Sequence, residues 1–189
     1  MNTDDRYGFW LFALAIMPTV LTSGCADPCK KVTCVHGTCI NGICDCNPGW
    51  DGAACQHQAV PKKMTVTSVT VTEFPALNNG ASWDQFSPAP DIYFTIRQGS
   101  DLLPNQPLTY YNDADASQDY NWSPLSIEIS SPVNQHRVDL WDFDGNGFPN
   151  DDWMGGVVFD PYWDGNGFPA TLNLSAGGVG LVLSVTYTH

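Results

Sequence analysis

The sequence predicts an all-β protein made of a small disulfide-rich module followed by an antiparallel β-sandwich of about eight strands. Six of the seven cysteines lie within 27 residues, which indicates the disulfide-rich module. Short segments of alternating apolar and polar residues recur through the rest of the chain, as in half-buried strands. The 17 Gly and 14 Pro residues are spread along the chain and leave no long helical pattern. Helical bundles and large α/β enzymes are therefore disfavoured.

The charge balance is strongly acidic. The 189 residues include 20 Asp or Glu and 7 Lys or Arg, a formal net charge of -13. Such a chain repels nucleic acid, so we expect no nucleic-acid partner. Only two basic residues, Arg97 and Arg137, follow Lys63, so a polybasic lipid-binding patch is absent from that part of the sequence.

The N-terminal segment has the features of a secretory signal peptide, predicted over residues 1–24. Its apolar run, residues 7–21, is short and contains Pro18. The alternative, a buried core helix, is disfavoured because the run has no polar face. The junction TSGC at residues 22–25 resembles the lipobox of bacterial lipoproteins. The resemblance implies that Cys25 is lipidated and anchors the protein to a membrane, and Cys25 is also the odd cysteine of seven.

The six clustered cysteines lie in a segment too short to bury a large core, which favours disulfides and an oxidising compartment. Spacing alone leaves their pairing open. The stretch CDCNPGWDGAAC, which ends at Cys55, resembles the signature of EGF-like domains. The resemblance covers residues 27–56. It implies the pairs Cys29 with Cys39, Cys34 with Cys44, and Cys46 with Cys55.

A polar segment containing Pro61, residues 57–63, is predicted as a linker. The remaining residues, 64–189, form the predicted sandwich domain. A phase slip between Val66 and Val69 predicts a β-bulge in the first strand. The predicted strands cover residues 64–74, 92–96, 125–129, 136–142, 153–159, 170–175 and 181–187.

Acidic residues gather in two of the predicted loops. Two carboxylates about 4 Å apart repel by roughly 1 kcal/mol in water and about 4 kcal/mol at an effective dielectric of 20. A folded loop that brings several together therefore needs a compensating cation. Ca²⁺ fits best, because it takes six to eight oxygen ligands in flexible geometry. The alternative is that these are solvated turn residues, since Asp, Asn and Gly are common in turns.

The spacing of these acids resembles that of the C2 domain, a calcium-binding β-sandwich. One C2 loop presents two Asp residues, the second at the head of a strand. Another presents Asp-x-Asp and a later Asp. The resemblance implies Ca²⁺ ligation by Asp84, Asp91, Asp142, Asp144 and Asp152, with Asp151 as a substitute if the loop register differs.

The hexapeptide DGNGFP occurs twice, at residues 144–149 and 164–169. With Asp160, the second copy could form another ion site or a third loop of the same rim. Alternatively, the tight turn is reused, with Phe148 and Phe168 as apolar contacts, and the sequence slightly favours this interpretation.

No nucleophile, phosphate-binding or zinc-hydrolase motif accompanies the four histidines, so we expect no enzymatic activity. The sequence predicts a calcium-binding protein for adhesion or ligand recognition, with a C2-like domain on an EGF-like stalk. Its location would be extracytoplasmic, as a bacterial outer-membrane or cell-surface lipoprotein or as a secreted protein. Its partner would be a cell-surface protein, glycan or lipid. The alternative is a structural surface module without a functional calcium site.

Overall fold

The computed structural model describes residues 27–84, 88–145 and 151–189. The predicted signal peptide, residues 1–24, and Cys25 lie outside these ranges. Among the described residues, no helix has the length and apolar character needed to cross a bilayer.

The N-terminal module begins with a β-hairpin of two strands, β1 (Gly37–Ile40) and β2 (Ile43–Cys46). Asn41 and Gly42 form its turn with φ values of 52° and 85°. These positive angles match the twist of a two-residue hairpin turn, which Asn-Gly adopts readily.

Three disulfides hold the module together, in the pairing that the EGF-like resemblance implies. A second short strand pair, β3 (Trp50–Asp51) with β4 (His57–Gln58), completes it, so part of the predicted linker is a strand. Each disulfide contributes about 2–4 kcal/mol to a domain of this size, largely by restricting the unfolded chain. The bonds are Cys29–Cys39, Cys34–Cys44 and Cys46–Cys55.

The C-terminal domain is an antiparallel sandwich, with nine strands among the described residues. They are β5 (Lys63–Glu73), β6 (Ile92–Gln98), β7 (Asp101–Leu102), β8 (Tyr120–Trp122), β9 (Ile127–Ile129), β10 (His136–Asp142), β11 (Asp152–Phe159), β12 (Thr171–Ala176) and β13 (Val179–Thr188). One sheet has the order β11-β10-β6-β7. The other has the order β12-β13-β5-β8, and β9 also pairs with β5. The predicted all-β fold class is confirmed.

The predicted bulge in β5 is present. Ser68 pairs with Ser184 and Val66 pairs with Val185, so Thr67 is the extra residue. The two short strands β7 and β8 were not predicted, because two or three residues show no measurable alternation.

The core lies between the two sheets and is made by alternate residues of their strands. In β5, Met64, Val66, Val69 and Val71 are fully buried, and the bulge keeps both halves of the strand facing inward. Phe94 of the opposite sheet is 1 % exposed and packs edge-on against Trp122. Each such side chain contributes roughly 1.5–3 kcal/mol by its burial.

The second DGNGFP copy docks the N-terminal module onto the sandwich. The Gln58 side chain donates to Asn166 Oδ1 at 2.9 Å and accepts the Gly165 N–H at 2.7 Å. The Phe168 ring meets Trp50 edge-on, with ring centroids 6.2 Å apart. The tight turn therefore serves as an apolar and hydrogen-bonding contact in this copy.

His136 at the start of β10 makes the stability of the fold sensitive to pH. It is 2 % exposed, and burial lowers its pKa. Below about pH 6.5, the usual pKa of histidine, His136 is protonated more readily in the unfolded chain than in the folded chain. The contribution of His136 to stability is therefore fully present above about pH 6.5 and falls as the pH is lowered. We expect urea unfolding between pH 7 and 5 to show this loss, roughly 1.4 kcal/mol per unit by which the pKa is lowered. An H136Q variant should show a flatter pH dependence, and an unchanged slope would contradict the assignment.

Candidate metal centre

Two neighbouring strands bring the predicted acidic loops to the same end of the sandwich. β6 begins at Ile92, directly after Asp91, and β10 ends at Asp142. Because these strands are antiparallel, Ile92 pairs with Asp142. The Phe143 N–H also donates to the Asp91 carbonyl oxygen at 2.8 Å, so the two loops are joined where they leave the sheet.

Three of the five predicted ligands form a compact group. One carboxylate oxygen from each of Asp84, Asp142 and Asp144 lies within 4.8 Å of the others. Asp142 is fully buried, whereas Asp84 and Asp144 are half-buried. Three negative charges at this spacing repel one another strongly where water is excluded.

Asp142 is the residue at the centre of this group. Its Oδ1 accepts the Asp91 backbone N–H at 2.6 Å, but its buried Oδ2 has no hydrogen-bond partner among the described residues. Burial is the main cause that raises the pKa of Asp142 to about 7, and the hydrogen bond from the Asp91 N–H opposes this by lowering the pKa. The negative charges of Asp84, Asp144 and Asp91 raise the pKa further. A buried carboxylate oxygen without a donor is the group that a cation would satisfy.

The two half-buried carboxylates are perturbed in the same direction. Burial raises the pKa of Asp84, and the charges of Asp91, Asp144, Asp113 and Asp152 add to the effect. Burial likewise raises the pKa of Asp144, followed by the charges of Asp152, Asp151 and Asp91.

The other two predicted ligands lie beside the group rather than within it. Asp91 Oδ1 accepts the Asp113 backbone N–H at 2.8 Å. Asp152 Oδ2 accepts a hydrogen bond from the Asn78 side chain at 3.2 Å. Their charges nevertheless act on Asp84, so all five acids share one end of the domain.

Asp151, the predicted substitute, has a different role. Its Oδ2 accepts the Tyr93 hydroxyl at 2.5 Å, and its Oδ1 accepts the Asp144 N–H at 3.4 Å. It therefore supports the loop that carries Asp144. Sequence reasoning missed Asp113 and Asn78 because both lie in irregular segments, where the only signal was turn composition.

The donor set fits a hard divalent cation. It consists of carboxylate oxygens, one of them buried and unpartnered, and Ca²⁺ binds such oxygens in flexible arrangements. Softer metals would require His or free Cys, and neither is part of the group. Asp164 of the second hexapeptide copy is exposed and lies outside the group.

Comparison with known proteins finds partial similarity, and no protein-family model matches the chain. Vitamin K-dependent protein C from Mus musculus is 36% identical over 64 residues, which is 30% of this chain and 13% of that protein. The same protein from Rattus norvegicus is 34% identical over 64 residues, again 13% of its length. The chain thus spans a small part of these relatives.

Among solved structures, the chain resembles one described as the structure of a C2 domain, with a TM-score of 0.45 and 15% identity. That match covers 67% of this chain and 98% of the other. It also resembles a C2 domain of plant Extended Synaptotagmin 1, with a TM-score of 0.37 and 16% identity, over 68% of this chain and 96% of the other.

The disulfides and the strand arrangement define the class of protein. Three disulfides within a short module are typical of proteins in extracellular, oxidising compartments. The chain is therefore an extracellular-type protein in which a disulfide-bonded module with EGF-like cysteine pairing precedes an antiparallel β-sandwich with an acidic end.

Proposed function

We propose that the protein is a surface-anchored calcium-binding protein for adhesion or ligand recognition. The observation that supports this most directly is the buried, unpartnered Oδ2 of Asp142 beside the carboxylates of Asp84 and Asp144. A bound Ca²⁺ would neutralise these charges and keep coordination positions for an oxygen of the ligand. Recognition then requires no catalytic step, and we propose none.

The residues have separate tasks in this proposal. Asp84, Asp142 and Asp144 would hold the ion. Asp91 and Asp152 would add negative charge close to it. Extracellular modules often bind Ca²⁺ with dissociation constants of about 10⁻⁴ to 10⁻³ M. A C2-like mode of calcium binding and a lipid anchor at Cys25 both belong to this proposal. The partner is a cell-surface protein, glycan or lipid that offers an oxygen ligand.

The two hexapeptide copies provide a matched pair of variants for the test. Asp144 and Asp164 begin the same six-residue sequence, but only Asp144 belongs to the acidic group. We expect calorimetric titration of the purified protein with Ca²⁺ to give a saturable heat. The D144N variant should bind at least about tenfold more weakly, because ligand charge sets calcium affinity. The D164N variant should bind like the wild type.

Two results would contradict this proposal. The first is the absence of both binding heat and a thermal shift that a chelator reverses, which would favour a structural surface module whose acids only keep it soluble. The second is an equal loss of affinity in D144N and D164N, which would indicate a nonspecific effect of net charge.

A further inference from the structure

The outer face of the four-stranded sheet carries three aromatic rings that are fixed by their polar ends. Trp141 Nε1 donates to Thr95 Oγ1 at 3.0 Å, and Trp153 Nε1 donates to Asp139 Oδ1 at 3.0 Å. The Tyr93 hydroxyl donates to Asp151. Each ring is thus held in place by a hydrogen bond at its edge.

The rings form a row across the sheet. Trp141 pairs with Tyr93 on one side and with Trp153 on the other. The Tyr93 and Trp141 rings are 19° from parallel, with centroids 6.5 Å apart. Trp153 is 56% exposed. We call Tyr93, Trp141 and Trp153 the aromatic row.

Gly156 allows the indole of Trp153 to reach the sheet. It pairs with Asp139, and a Cβ at this position would lie 2.5 Å from Asp139 Oδ1. The missing side chain leaves room for the carboxylate that receives the Trp153 N–H.

Both arginines of the domain lie on the same face. Arg97 and Arg137 pair across β6 and β10, and their Nε atoms lie 3.0 and 2.8 Å from the fully buried Asp139 carboxylate. Both arginines share Asp139, and the other carboxylate of this face, Asp151, lies at its opposite end beside Tyr93, so positive charge is concentrated at the arginine end. Each guanidinium carries five N–H donors, more than a shared carboxylate can accept, so donors remain for a ligand. Arg97 also lies over the Trp141 ring, 5.9 Å from its centroid.

A cavity extends the face beyond Tyr93. It has a volume of about 440 Å³ and is lined mainly by apolar groups, including Leu102, Leu108 and Tyr110. This is within the range of small-ligand sites, which combine apolar walls with a few fixed polar groups.

We infer that this face binds an acidic saccharide, with sugar rings against the aromatic row and a carboxylate or sulfate at Arg97 and Arg137. Sugar rings present C–H faces that pack on aromatic faces, and their hydroxyls suit the polar groups between the rings. Arginine binds planar or tetrahedral anions through paired N–H groups. A membrane would require a larger basic surface than two arginines supply. Nucleic acid would carry its continuous line of phosphates past the acidic groups elsewhere on the domain, whereas a short saccharide places few charges, at the arginines. The site does not use the metal centre.

The test uses the full protein in the presence of EDTA, so that it is independent of the proposed calcium site. The probes are oligogalacturonate and a chondroitin sulfate oligosaccharide, with methyl-esterified oligogalacturonate as the neutral control. Titration is followed by tryptophan fluorescence and calorimetry. We expect one or both acidic probes to bind, and the neutral control to bind at least about tenfold more weakly. W153A should weaken binding roughly tenfold or more, because it removes the most exposed ring of the row.

Two further variants separate recognition from folding. W153F keeps a ring without the N–H and should retain most of the binding, whereas W163A removes an exposed tryptophan outside the row and should change nothing. The inference is overturned if neither acidic probe binds, if the neutral control binds equally well, or if W153A binds like the wild type. Binding to anionic vesicles in EDTA without saccharide binding would also overturn it, in favour of a membrane surface.

Discussion

The D142N variant is expected to be more stable than the wild type without calcium and to gain no stability from it. Asparagine has nearly the shape of aspartate and can still accept the Asp91 N–H. It removes a buried charge that lies beside Asp84 and Asp144. At pH 8 in EDTA we expect a stabilisation on the order of 2–4 kcal/mol in urea unfolding. Ca²⁺ at a hundred times its dissociation constant stabilises the wild type by about 2.7 kcal/mol and D142N not at all, so the difference between the two proteins should shrink by about that amount.

The sign of the pH dependence follows from the pKa of Asp142, which is raised from 3.8 to about 7. Between these values the unfolded chain has lost the proton and the folded chain retains it. The calcium-free wild type therefore loses stability relative to D142N as the pH rises from about 4 to about 7. The difference between the two proteins should be small at about pH 4 and fully developed at about pH 8. A difference that is constant with pH would exclude ionisation of Asp142 as its cause, and D164N serves as the control for net charge.

The F168A variant is expected to release the N-terminal module from the sandwich. The Phe168 ring contacts Trp50, Tyr162, Tyr187 and His189, with centroid distances between 4.5 and 6.2 Å. Truncating a fully buried Phe costs about 3–5 kcal/mol, so we expect roughly 2 kcal/mol for this half-buried ring. Limited proteolysis should then cut within residues 57–63 faster than in the wild type, while the disulfides keep the module itself intact.

The matched control is W163A. Trp163 is 52% exposed and lies in the same connection between β11 and β12, and the Asn166 N–H contacts only its backbone carbonyl. The W163A variant should be cut at the wild-type rate. If F168A is also cut at that rate, the module is held by the Gln58 hydrogen bonds rather than by the aromatic contact.

Most strands of the sandwich were predictable because alternation reports which residues face a core. β10 follows the predicted bounds, and the bulge at Thr67 follows from the phase of its neighbours. In contrast, β8 pairs with β5 through only three residues, and its position depends on tertiary contacts. Propensity and pattern carry no information about such short segments.

The sequence indicated which acids gather in two loops, but not that Asp84, Asp142 and Asp144 form the compact group while Asp91 and Asp152 lie beside it. The sequence indicates that Asp91 precedes a strand and that Asp142 ends one. The C2 resemblance implied that the two acidic loops meet, but the pairing of these two strands appeared only in the folded domain. The pairing of Trp141 with Tyr93 and Trp153 depends on strand register, which a single sequence does not specify. The aromatic row could therefore be recognised only in the folded domain.

The docked module and the acidic group lie at opposite ends of long strands, and this has a mechanical consequence. β5 begins beside the module and runs for 11 residues, about 36 Å, toward the acidic end. A pull between the N-terminal module and a partner held at Asp142 is directed along the strands. Because β5 and β10 lie in different sheets, such a pull crosses the packed core between the sheets and loads it in shear. Traction along the strands would therefore be opposed by many core contacts at once.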